Sequence, residues 1–178
     1  MSAAGHIHTP AALRGIESFI DWIGRVTAWV ALAMIGLVAL NVILRYSLSL
    51  GSVWAQELEW HLLAALILLG MCHALQRGDN VRVDLFYARY SPTTKFVVDV
   101  FAALLTAAVA LLFVYLSLPY VGQSYSILEG SPDPGGIPYR WAVKALIPLG
   151  YSLVALQQLA HLMRLVITRR ASLEGAHV

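Results

Sequence analysis

Residues 54–84, WAQELEWHLLAALILLGMCHALQRGDNVRVD, decide how the rest of the chain is read. The stretch opens with Trp54 and two carboxylates, Glu57 and Glu59, and then runs through an apolar interior. It breaks at Arg77-Gly78 into the alternating charges Asp79, Arg82 and Asp84. An apolar interior bounded by aromatic and charged residues is the pattern of a helix crossing a bilayer, since about 20 mainly apolar residues span the hydrocarbon.

Composition supports that reading for the whole chain. Of the 178 residues, 12% are charged, against roughly 25% in soluble domains. The mean hydropathy is +0.71. Too few polar residues remain to give each helix a water-facing side. The net charge of +2 argues against a nucleic-acid partner, because the surplus cations flank apolar runs where anionic headgroups would receive them. The lone cysteine, Cys72, lies within such a run and reads as core packing. No basic region directly precedes a short apolar core near the start and no small-residue cleavage site follows, so the first span is expected to be retained.

Intervals free of Asp, Glu, Lys and Arg fall at residues 26–44, 60–76, 100–128 and 145–163. The expected fold is therefore an all-α integral membrane protein with four transmembrane helices, at about residues 22–45, 54–76, 95–120 and 140–165, in one membrane domain. An interfacial amphipathic segment is expected between the second and third, where Leu85, Phe86, Tyr87 and Tyr90 alternate with Arg82, Arg89 and Lys95. Ser91-Pro92 marks the start of the third helix, Pro119 is expected to bend or stop it, and Pro148 to kink the fourth. Residues 130–141, GSPDPGGIPYRW, form the clearest loop. Nine cations (Arg14, Arg25, Arg77, Arg82, Arg89, Lys95, Arg164, Arg169, Arg170) fall on the side of both termini, and three (Arg45, Arg140, Lys144) on the other. The positive-inside rule then puts both termini in the cytoplasm and the Pro-Gly loop outside.

Chemistry-bearing residues are sparse. A proton-coupled transporter keeps a carboxylate at membrane depth, yet every Asp and Glu here sits near a helix end. Asp21 and Arg25 are spaced for a surface pair. Asn41 and Arg45 share a helix face one turn apart, and Arg45 either snorkels to the interface or pairs with Glu57 across the short 47–52 link. His61 lies one turn after Glu57 and reads as its surface partner. His73 and His161 would reach similar depths and could ligate a haem, which keeps a redox membrane anchor open beside an autonomous small exporter. No nucleotide, catalytic-triad or metal-ligand motif is present, so no enzyme is expected.

The segments NVILRY (41–46), WAQEL (54–58), Leu69-Gly70, RGDNVRVDLFY (77–87), IPYRW (137–141) and KALIPLG (144–150), in this order, resemble the small membrane subunit, DctQ type, of tripartite ATP-independent periplasmic (TRAP) transporters. The likeness covers roughly residues 16–166, and Trp54, Glu57, Arg77, Gly78, Val83 and Asp84 match its motif positions, with Asn41 and Arg45 in the first segment. Gln56 departs from the acidic pair common after the tryptophan, and Asn80 stands where histidine is common. The resemblance implies a scaffold subunit of the bacterial inner membrane with no cofactor. It would act with a large membrane subunit (DctM type) carrying solute and sodium, and a periplasmic solute-binding protein (DctP type). Organic acids would be the usual cargo.

Overall fold

The computed structural model describes residues 10–78 and 87–174. They form four helices, α1 (Ala11–Leu48), α2 (Val53–Arg77), α3 (Pro92–Ser126) and α4 (Arg140–Glu174), with no strand among the described residues. All four are long and apolar enough to cross a membrane. Most of the expected interfacial segment, residues 79–86, lies outside the described residues. A short turn leads from Tyr87 into α3; there the Tyr87 hydroxyl donates to Asp99 at 2.7 Å and Lys95 sits 5.3 Å from the Tyr87 ring centroid.

The helix boundaries follow from local chemistry. Ser52 caps α2 by accepting the Ala55 N–H, and Ser91 caps α3 by accepting the Thr94 N–H, with Pro92 at the first helical position. Gly78 ends α2 at φ 73°, a conformation that costs glycine little, and its N–H reaches back to Ala74 and Leu75. Pro119 does not stop α3, which continues to Ser126, and α4 passes through Pro148 to Glu174. In a bilayer, leaving the helix would expose several more backbone groups than the one donor proline lacks, so the helix persists.

The helices alternate in direction. One end of the bundle carries the α1–α2 link and the α3–α4 loop and is called the loop end; the other carries Ala11, Arg77, Pro92 and Glu174. Helix α4 is the hub, packing on α3, α2 and α1. A third of its most apolar window is buried, against 6% in α1 and α2. The residues of α3 buried against it are small and seven apart: Ala103, Ala110, Ser117 and Ser124. A seven-residue repeat holds one face toward a neighbouring helix, and small side chains let the two backbones approach. Gly150 of α4 allows a similar approach to α2, since a Cβ there would lie 2.5 Å from the Leu68 carbonyl oxygen. The core is Ile20, Cys72, Ala110, Leu153 and Val154. Cys72 is fully buried, with its thiol donating to the Leu69 carbonyl, as expected of a packing residue.

Helix α1 starts well before residue 22. Its 38 residues span about 57 Å at 1.5 Å per residue, far more than the roughly 30 Å hydrocarbon layer. The extension is held by an ion pair of Glu17 with Arg164 of α4, and by Gln76 of α2 donating to the Glu17 carbonyl at 3.1 Å.

Candidate functional site

Glu57 is the most deeply buried charged group described, 2% exposed near the start of α2. The expected partner, Arg45, is not bonded to it. Its carboxylate accepts the Ser131 hydroxyl, the Ile137 backbone N–H at 2.5 Å and the Arg140 guanidinium at 3.4 Å. All three donors come from the α3–α4 loop and the first residue of α4. The physical reason is donor supply: the loop brings a hydroxyl, an amide and a cation together at the top of α2, whereas Arg45 alone offers one exposed cation on α1. Charge-assisted bonds of this kind are stronger than neutral ones.

The loop is built around that carboxylate. Ser131 Oγ also accepts the Asp133 N–H at 3.1 Å, and the Gly136 N–H closes a turn onto the Asp133 carbonyl at 3.0 Å. Gly136 lies so close that a Cβ would fall 2.7 Å from Glu57 Oε2 and against the Ser131 side chain. The Arg140 N–H donates to the Glu129 carbonyl at 2.9 Å, joining the two ends of the loop. Tyr139, just before α4, has φ 65°, a left-handed conformation that an aromatic residue rarely adopts. A second lock lies beside the first: the Glu129 carboxylate pairs with Lys144, whose ammonium sits 4.1 Å from the Tyr120 ring centroid. The Lys144 bond, and after it the nearby Ser124 hydroxyl, hold the Glu129 carboxyl below its ordinary pKa. Tyr125 and Trp141 pack edge to face 5.4 Å apart. The loop is thus clasped to α2, α3 and α4 together, while Pro132, Asp133, Pro134 and Gly135 stay exposed.

The other expected site residues scatter. Asn41 is buried and donates to Glu59 at 2.8 Å. Arg45 is exposed, without an ion pair among the described residues, and Trp54 is half exposed. Arg77 lies at the other end, 3.6 Å from Asp21, which also stands 3.7 Å from His73. Asp21 therefore reaches across to α2 and does not pair with Arg25 along its own helix, because the close α1–α2 contact offers two partners there. Gly78 is the helix cap; Val83 and Asp84 lie outside the described residues. His61 bonds the Glu57 backbone carbonyl at 2.6 Å, not its carboxylate, which is already occupied. The His73 ring packs against Gly24 of α1. Sequence reasoning missed Ser131, Ile137 and Arg140 as Glu57's partners, although the few cations at the loop end narrowed the choice to three.

Four membrane-length helices, tied at both ends by polar contacts, define a multi-pass α-helical membrane protein. Residues 34–168 match the family described as "Tripartite ATP-independent periplasmic transporters, DctQ component". The match covers most of the chain, and the protein belongs to this family: it is a small membrane subunit of a TRAP transporter. No curated protein matches the chain. Family membership points to a transporter component, and away from the haem-bearing anchor and the autonomous exporter considered from sequence.

Proposed function

We propose that the protein is the fixed scaffold subunit of a sodium-coupled, binding-protein-dependent importer of organic acids in the bacterial inner membrane. The family match carries this reading. The distribution of charge supports it: Glu17, Asp21, Glu57, Glu59, Asp99 and Glu129 sit near helix ends, and each has a partner within the fold. A subunit without a carboxylate free at mid-depth is suited to hold a moving partner rather than to bind the coupling ion. Solute and sodium would be carried by a large DctM-type membrane subunit.

With both termini cytoplasmic, the clasped loop faces the periplasm. It then offers a DctP-type binding protein a preformed surface around Asp133 and Tyr139, where little ordering would be needed on docking. The decisive experiment is purification in mild detergent from the native membrane through a C-terminal tag. A large polytopic protein in near-equal amount, and sodium-gradient-dependent uptake when both are reconstituted with the binding protein, are expected. Recovery of a redox enzyme in its place would overturn the reading.

A further inference from the structure

Among the described residues three carboxylates lack an ion pair: Asp133, exposed at the loop tip, Asp99, which accepts the Tyr87 hydroxyl, and Glu59 within α2. Four acidic groups with ion pairs are Glu17, Asp21, Glu57 and Glu129. Glu59 differs: its described partner is the neutral Asn41 amide, at 2.8 Å. Two of the three cations at the loop end are assigned, Arg140 to Glu57 and Lys144 to Glu129, and the third, Arg45, is exposed and bonded to no described residue.

Depth makes this unusual. Glu59 lies six residues inside the start of α2 at Val53, or about 9 Å along the axis. The hydrocarbon layer takes about 20 residues of this 25-residue helix, and Arg77 fixes the other boundary. Glu59 therefore falls at the edge of the hydrocarbon, where an ionised carboxylate is costly without a compensating charge.

Direction adds to the argument. Residues two apart on a helix point about 200° apart. Glu57 faces the α3–α4 loop, so Glu59 turns away from α4 to the seam with α1. That seam borders the outside of the bundle. One turn from Glu59 is Leu63, 44% exposed, and one turn further Ile67, 55% exposed; one turn from Asn41 are Val38 and Arg45, both exposed.

We infer that this α1–α2 edge is a docking face for the large membrane subunit, on which the Asn41–Glu59 pair receives a lysine or arginine side chain of that partner. The inference rests on the proposed scaffold role. Asn41 holds the carboxylate in place, and the incoming cation completes a charge pair shielded by Val38, Leu63 and Ile67. The depth of the site selects a membrane-embedded partner, because a soluble binding protein would not reach the hydrocarbon edge.

The test uses the whole complex in its native membrane, with the large subunit retained per tagged small subunit as readout. Glu59→Lys should lower retention about tenfold or more, since it opposes two cations in a poorly solvated place, and Glu59→Gln should fall between it and the wild type. A photo-crosslinking residue at Leu63 in an otherwise wild-type chain should capture the large subunit. Wild-type retention in Glu59→Lys, or capture at Leu63 of lipid alone or of a second small subunit, would overturn the inference. The Leu63 probe decides the matter if Glu59→Lys fails to fold. Wild-type protein that retains a large subunit while Glu59 variants are indifferent sinks this face and leaves the scaffold role standing. Wild-type protein that retains none removes both.

Discussion

Glu57 gathers its donors from as far as 83 residues along the chain, at Arg140, and that separation explains why they were hidden. The sequence marks Glu57 as a carboxylate in need of a partner, but the choice among the loop-end cations depends on the path of an irregular Pro-Gly segment that follows no periodicity. Removing the charge should be felt throughout the loop. Glu57→Gln puts an amide donor against two or three other donors, so the unfolding midpoint should fall by several degrees and protease should cut within residues 131–136. Arg45→Gln should leave both measurements near wild type, because Arg45 has no described bond to lose. Equal effects of the two substitutions would refute the geometry of the clasp. The neighbouring lock supplies a pH dependence. The Glu129 carboxyl has a folded pKa below its ordinary value, so its contribution is present at neutral pH and down to the ordinary carboxylate range. It is lost as pH falls through the lowered folded value. Loop proteolysis should accordingly rise on the acid side, and Glu129→Gln should flatten that rise by weakening the lock at every pH.

At the scale of helices, the four spans were legible because charge-free intervals are long and sharply bounded. The helices that carry them run beyond the expected spans. The early turns of α1 carry Glu17, Asp21 and Arg25 at the spacing of a helix entering from the interface, and contacts with Gln76 and Arg164 hold those turns against the bundle. Likewise the alanines of α3 suggest close packing without saying which of them pack. Ala103 and Ala110 are buried against α4, whereas Ala102 and Ala108 are exposed; the seven-residue register with Ser117 and Ser124 separates them. Because α3 packs chiefly on α4, that register should govern its attachment. Ala110→Leu overpacks the seam and should cost about 1–3 kcal/mol, while Ala108→Leu, on the exposed side, should stay within about 0.5 kcal/mol. Thermal unfolding of the two variants in the same detergent compares them directly, and equal stability would mean that the seam is misplaced.

For the molecule as a whole, neighbour relations among the helices follow from side-chain fit and could not be read from hydropathy, whereas orientation follows from charge counting alone. Nine cations against three is a strong bias for cytoplasmic termini. The proposed role of the clasped loop depends on it, since a periplasmic binding protein reaches the loop end only if that end faces outward. The chain is suited to a labelling test, because its single cysteine, Cys72, is fully buried and should not react in the folded protein. In intact cells, Asp133→Cys should react with a membrane-impermeant maleimide and Ser172→Cys should not; after lysis both should react. Asp133 is exposed at the loop tip and Ser172 is exposed near the end of α4, so the difference would report sidedness rather than burial. The reverse pattern would place the loop in the cytoplasm, out of reach of any periplasmic binding protein. The clasp would then have to serve the packing of α2, α3 and α4 alone.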